Sequence, residues 1–341
     1  VGSASPATVG VVVNPHAGKD IRRLVAAASH TSDAAKIGIA RRAITAAAEA
    51  GADRIVLMGD GHRLAERAAE GLDAPVEVLD EAFSGSGADS IAAARRMWKE
   101  QVGALVVLGG DGTCRNVVTG WPDAPLVAVS TGTNNVFPAA IDATSAGTAA
   151  ALVARQAVTI DEAADRCKRI AVTIDDGDGP TDDVALVDVA LVDSTFTGAR
   201  AVRDPATVRC VVAAFATPMS TGLSSIAGRI APLARFAPGG VLVRLGPGGR
   251  PVRVPLSPGA FSTISVTDVV PLDPGEPVEL GGPGVLALDG ERDRRVGAAT
   301  TIRVAVDGGG PLLIDVERVL RLAAGRSLFD AHPRAGGADG H

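Results

Sequence analysis

The residue to which a reaction attaches most directly is Asp111, in Gly109-Gly110-Asp111-Gly112-Thr113, immediately after the apolar run Ala104-Leu105-Val106-Val107. Glycines lack Cβ and tolerate positive φ, so successive backbone N–H groups can converge on an anion such as a phosphate. A carboxylate in the middle of such a turn repels phosphate unless it serves a metal or takes a proton from a nucleophile. That conflict points to phosphoryl transfer, in which a carboxylate collects the proton of an acceptor hydroxyl while the backbone holds the donor phosphates. Asp and Gly are also ordinary turn formers, but a plain turn does not need this whole string on one strand end. Asp111 is therefore the candidate catalytic base, with Gly109, Gly110, Gly112 and Thr113 as candidate nucleotide contacts.

Similar junctions recur along the chain. Val9–Val13 runs into Asn14-Pro15-His16-Ala17-Gly18-Lys19-Asp20, Arg54–Met58 into Gly59-Asp60-Gly61-His62, and Pro125–Val129 into Ser130-Thr131-Gly132-Thr133-Asn134-Asn135. These short Val-rich runs, with Pro75–Leu79, read as buried strands. Ile21–Ala28, Asp33–Ala50, Arg63–Glu70, Ala88–Lys99, Arg115–Gly120 and Thr144–Arg155 read as helices between them. The alternation predicts an α/β domain over residues 1–157, a parallel sheet with helices on both faces. Such sheets bind ligands at the carboxyl ends of their strands, where Asn14, Asp60, Asp111, Thr133 and Asn134 all fall. Asp60 has a competing reading as a helix N-cap, and the segment from Asn14 to Asp20 one as a plain strand-to-helix turn. His16 and His62 sit on loops without evident partners and are read as non-catalytic.

From Val158 the pattern changes. Ile170–Ile174, Val184–Val192, Val208–Phe215, Val241–Leu245, Phe261–Val270, Val285–Leu288 and Thr301–Val306 are strand-like, separated by Gly/Pro turn signals such as Pro247-Gly248-Gly249. A mostly antiparallel β-sandwich domain is expected over 158–325, closing on a helix at Val316–Ala323, with a flexible tail over 326–341. Asp289 and Glu291 form a second acidic pair, which either orients an acceptor or belongs to a charged hairpin leading into Arg292-Asp293-Arg294-Arg295.

Composition narrows the partners. The chain has 341 residues, 46% hydrophobic and 21% charged, which describes a globular protein rather than a disordered one. A net charge of −6 argues against a general nucleic-acid or anionic-membrane binder. The three cysteines have no CxxC spacing, so neither a zinc site nor a disulfide framework is indicated, and they read as reduced thiols of a cytoplasmic protein. No apolar stretch is long enough to span a bilayer.

Asn14-Pro15, the Gly109–Thr113 string and Gly132-Thr133-Asn134-Asn135 together resemble the NAD kinase and diacylglycerol-kinase superfamily. Its members pair an α/β nucleotide-binding domain with a β-sandwich domain. Thr217-Pro218-Met219-Ser220-Thr221-Gly222-Leu223-Ser224 is similar to the NAD kinase stretch TPTGSTAYSLSAGG, and Leu288-Asp289-Gly290-Glu291 to the DGE segment of the lipid-kinase branch. The opening NP-x-x-GKDIRR and STGTNNVFP are similar to the acetoin-catabolism protein X branch. The resemblance implies ATP as donor, Mg²⁺ carried on the phosphates with few protein ligands, and a homo-oligomer. It implies Asp111 as base, Asn14, Thr133, Asn134 and Asn135 at the nucleotide, and Asp60, Ser220, Thr221, Asp289 and Glu291 on the acceptor side. Leu223 stands where the NAD-binding stretch has Tyr, and Asn134-Asn135-Val136-Phe137 is nearer the GT-x-N-D-F of lipid kinases. The expected function is a kinase acting on a hydroxyl of NAD or a related metabolite. A lipid kinase is disfavoured by net acidity and the lack of a basic amphipathic helix, and a non-catalytic regulator by the intact Asp111 motif.

Overall fold

In the computed structural model, residues 6–15, 32–81, 83–132, 135–193 and 204–330 are described. The helix expected over 21–28, His16, Thr133, Asn134 and the tail from residue 331 lie outside the described residues.

The first layer follows in chain order as β1 (Thr8–Val13), α1 (Asp33–Glu49), β2 (Arg54–Leu57), α2 (Leu64–Ala69), β3 (Val76–Val78), α3 (Gly87–Lys99), β4 (Ala104–Gly109), α4 (Asp111–Gly120), β5 (Pro125–Ser130) and α5 (Ala143–Ala154). β1 and β4 are buried along their whole lengths, as strands covered on both faces must be. Alternate residues of β1 divide between two cores. Val9, Val11 and Val13 join α1, α2 and α5 on one face, and Val12 joins α3 and α4 on the other. α1 and α5 are Ala-rich and approach closely, with Gly147 facing the Ala43 carbonyl where a Cβ would collide.

α6 (Ile160–Ala163) and β6 (Ala164–Arg166) still belong with the first sheet and its core. The second layer comprises β7 (Arg169–Asp175), β8 (Pro180–Ala185), β9 (Asp188–Val192), β10 (Val208–Ala213), α7 (Ser224–Ile230), β11 (Gly240–Ser257), β12 (Ala260–Leu272), β13 (Pro277–Gly281), β14 (Gly284–Leu288), β15 (Glu291–Val296) and β16 (Thr301–Asp307). Two antiparallel sheets result, a six-stranded one in the order β12-β11-β10-β9-β14-β15 and a four-stranded one in the order β13-β16-β7-β8. Val189, Leu191 and Leu286 of the larger sheet share one core with Val172 and Ile302 of the smaller sheet and with α3 and α4. The expected union of a parallel α/β domain with an antiparallel β domain is present, and it is welded along the α4 face.

Four details differ from the sequence reading. The run Val184–Val192 is split between β8 and β9, which belong to different sheets, because the N–H groups of Leu186 and Val187 turn toward Asp289. Pro247-Gly248-Gly249 is not a hairpin turn. It lies in a bulge inside β11, where the register with β12 shifts between Leu245 and Arg250. α4 starts at Asp111 rather than Arg115, so Asp111 to Thr113 form its first turn. Finally, residues expected in the second domain return to the first. β17 (Leu312–Ile314) pairs parallel with β5 and antiparallel with β6, giving the seven-stranded order β3-β2-β1-β4-β5-β17-β6. α8 (Val316–Gly325) then adds Val316, Val319 and Ala323 to the core of α1 and α5.

Candidate active site

β4 ends at Gly109, and Gly110 caps α4 in an extended conformation with no side-chain cap of its own. Asp111 therefore opens the helix, where the macrodipole favours a carboxylate. Its Oδ1 accepts from the N–H of Phe137 at 2.7 Å and of Val136 at 3.0 Å, and its Oδ2 from Val136 at 3.1 Å. The loop supplying these donors is tied to the same strand ends. Asn135 Nδ2 donates to Ser130 Oγ at 2.8 Å and more distantly to the Gly109 carbonyl at 3.4 Å, and the Thr131 N–H donates to that carbonyl at 3.2 Å. At the end of β1, Asn14 Nδ2 donates to Thr113 Oγ1 at 2.8 Å. Sequence-distant Asn14, Asp111, Thr113 and Asn135 thus meet at adjacent strand ends.

The glycines make room for the protein's own side chains. A Cβ on Gly109 would lie 2.5 Å from Thr113 Cβ, and one on Gly110 would lie 2.8 Å from Asn135 Oδ1. One on Gly112 would collide with the Glu291 carboxylate. That last contact brings in the second domain. Arg115, one turn beyond Asp111 on α4, donates from Nη2 to Glu291 Oε2 at 2.7 Å. The guanidinium is only 7% exposed, whereas Glu291 is 48% exposed.

Glu291 follows a two-residue turn in which Asp289 and Gly290 have φ of 49° and 81°, the hairpin geometry that Asp-Gly favours. The Asp289 carboxyl turns inward and accepts from the N–H groups of Leu186, Val187 and Asp188 at 2.8–3.2 Å. Burial pushes its pKa up to about 7, opposed by the nearby Arg115 and reinforced by Asp111. The acidic pair sits on the β14–β15 hairpin with its two carboxyls in different settings, Asp289 inside and Glu291 at the seam against α4.

Three other expected residues, Asp60, Ser220 and Thr221, are bonded within their own loops. Asp60 is buried and spends its carboxylate on the N–H groups of His62, Leu64 and Ala65, so the helix-cap reading describes its bonds. It ends β2, two strands from β4 in the sheet order. Ser220 donates its hydroxyl to the Thr217 carbonyl at 2.8 Å, and the Thr221 carbonyl accepts from Ser224 Oγ at 3.3 Å. This loop borders a cavity of about 480 Å³ walled by Val136, Phe215, Thr217, Pro218, Met219 and Arg235, and so adjoins the segment that grips Asp111. Cys114, Cys167 and Cys210 are all free and buried, and burial pushes the Cys167 thiol up to about 11.

Sequence reasoning did not single out Arg115 or Arg235. The spacing from Asp111 to Arg115 places both on one helix face, which was an available signal. Arg235 stands between prolines in an irregular segment and gave none.

Residues 9–158 match the model of the ATP-NAD kinase N-terminal domain. A crystal structure of yeast NADH kinase complexed with NADH superposes with a TM-score of 0.54 at 14% identity, covering 98% of this chain and 91% of that one. A putative diacylglycerol kinase from Bacillus anthracis str. Sterne covers 91% of this chain and 99% of its own at 12% identity, with a TM-score of 0.41. The fold is that of the NAD kinase-like superfamily. Residues 168–308 match the model of the acetoin catabolism protein X C-terminal domain. Acetoin catabolism protein X of Cupriavidus necator is 34% identical over 340 residues, 96% of this chain and 95% of that protein. The chain belongs to the acetoin catabolism protein X family. No helix among the described residues is long and apolar enough to cross a membrane.

Proposed function

We propose that this chain is an ATP-dependent kinase that transfers a phosphoryl group to a hydroxyl of a small metabolite, NAD or a related compound, with Asp111 as the base. The observation that carries the reading is the placement of Asp111. It is a carboxylate at the carboxyl end of a central parallel strand, on the first turn of a helix, aimed by backbone N–H groups at the seam between the domains. Asn14, Thr113 and Asn135 converge on the same strand ends, and the first turn of α4 has no side-chain cap. Both features suit a donor phosphate. Mg²⁺ would be carried by the nucleotide, with Asp111 as its neighbouring carboxylate. When bound, Mg²⁺ would neutralise phosphate charge. The chain's own part is to hold the phosphates at the strand ends and to receive the acceptor proton on Asp111. A cytoplasmic setting and a homo-oligomer accompany this reading, the latter checked by light scattering.

A second reading has an observation of its own. The N–H groups of Val136 and Phe137 already occupy the Asp111 carboxylate, so Asp111 would instead tie this loop to α4 in a nucleotide-binding regulator that does not turn over. Incubation with ATP, Mg²⁺ and NAD, followed by an NADP-specific dehydrogenase, separates the two. NADP formed by wild type and lost in Asp111→Asn, with ATP affinity kept, supports the kinase. ATP binding without phosphorylation of NAD or of a panel of hydroxylated metabolites supports the regulator.

A further inference from the structure

Arg235 lies between α7 and β11, outside every motif and far in sequence from Asp111. Its Nη2 donates to the carbonyl of Val136 at 3.0 Å and of Phe137 at 2.9 Å. Its guanidinium carbon stands 4.2 Å from the ring centroid of Phe215 and 4.8 Å from that of Phe137, within cation–π range of both. The Cys167 thiol lies beside the guanidinium and hydrogen-bonds to it. A guanidinium stays charged in a protein, and burying a charge costs free energy. Stability alone is a poor reason to keep an arginine there.

The connection to Asp111 runs through one peptide group. The Val136 carbonyl and the Phe137 N–H are the two ends of the planar unit joining these residues. Arg235 holds the oxygen end, and Asp111 accepts from the nitrogen end in the shortest of its bonds to this loop, 2.7 Å. Fixing the oxygen fixes the plane, and with it the direction of the N–H. A cation on the carbonyl also polarises the N–H, strengthening its bond to the carboxylate. Lysine could supply the charge but not the planar fork that stacks on Phe215 while reaching two carbonyls.

We propose that Arg235 is the positioning residue for Asp111, acting through the Val136–Phe137 peptide group and coupling the second domain to the carboxylate. The proposal rests on the kinase reading only for its effect on turnover, since the coupling itself is readable without activity. Amide hydrogen exchange of the full-length chain, followed by NMR, is the first measurement. Arg235→Met should speed exchange of the Phe137 amide about tenfold or more while Val106 and Val107 in β4 are unchanged. Asp111→Asn should do the same, and the double variant should go no further. If Arg235→Met fails to fold, Arg235→Lys is the substitute, with a smaller change confined to Val136 and Phe137.

In an active enzyme, Arg235→Met should lower kcat about tenfold or more, leave KM for ATP within about twofold, and move the acidic limb of the pH profile. It should have no further effect in the Asp111→Asn background. Unchanged Phe137 exchange, faster exchange spread over the whole second domain, or effects that add to those of Asp111→Asn would each overturn the proposal. A wild type without turnover would defeat the kinase reading, while the exchange data would still decide the coupling.

Discussion

Asp111 and Asp289 are both carboxyls held by backbone N–H groups just past the end of a β-strand, and the charge of Asp111 is near enough to help raise the pKa of Asp289. Asp111 is half-buried, accepts from two residues of one loop and starts a helix. Asp289 is 8% exposed and accepts from three consecutive residues at the corner where β8 gives way to β9. The same chemical group thus sits at two depths, Asp111 half-buried where a helix opens and Asp289 enclosed at the corner between two sheets. On the proposed reading the first is a working part and the second a joint, and access rather than residue type separates them.

The sharpest break in this contrast comes from Asp111→Asn. Loss of a general base should lower turnover about a hundredfold or more, with unfolding free energy changed by less than about 1 kcal/mol, measured by urea titration beside the kinase assay. Equal loss of stability would make Asp111 another joint. Asp289→Ala should behave in the opposite way. It strips the acceptor from three buried N–H groups, at about 1–3 kcal/mol each in the worst case, so a loss near 5 kcal/mol is expected. Asp289→Asn keeps one acceptor oxygen and should lose less.

The contrast also has a pH signature. Asp289 has a folded pKa of about 7 against an ordinary value of 3.8. The folded state therefore binds the proton more tightly than the unfolded chain. Its contribution is fully present below about pH 4, is lost as pH rises toward 7 and is constant above, amounting to on the order of 4 kcal/mol. Unfolding curves of wild type and Asp289→Asn should converge in their pH dependence outside that window and diverge within it. A parallel pair of curves would mean that Asp289 titrates alike in the folded and unfolded chain. The smallest effect is expected of Glu291→Gln. Its carboxylate is 48% exposed, so solvent screens its attraction for Arg115, and about 1 kcal/mol is at stake.

Much of this was readable from residues alone, for reasons that are local. A buried parallel strand announces itself as an apolar run, and Gly-Gly-Asp-Gly-Thr after Val107 marks a carboxylate at a strand end. The antiparallel second layer is visible in its turn-separated runs of Val, Leu and Ile. The larger failures are long-range. Nothing in Leu312–Ile314 signals a parallel partner at Pro125, because a three-residue strand has too little pattern to specify one. The break in Val184–Val192 is dictated by the carboxyl of Asp289, 103 residues beyond the Leu186 N–H that it accepts from. Asp60 reads from sequence as either a strand-end acid or a helix cap, and its bonds to His62, Leu64 and Ala65 are those of a cap. Arg235 acts through backbone atoms, which carry no sequence signature.

The return of β17 and α8 has a consequence for modularity. The antiparallel layer is spliced into the α/β layer between α6–β6 and β17 rather than appended to it, so the chain crosses between them on the way out and again on the way back. A fragment cut at residue 157 would leave β5 with a bare hydrogen-bonding edge, the kind of edge that recruits foreign strands. It would also uncover the α5 surface that Val316 and Val319 shield. The two halves are thus not interchangeable cassettes. Recombination that exchanged the antiparallel layer for another would have to preserve both crossing points at once.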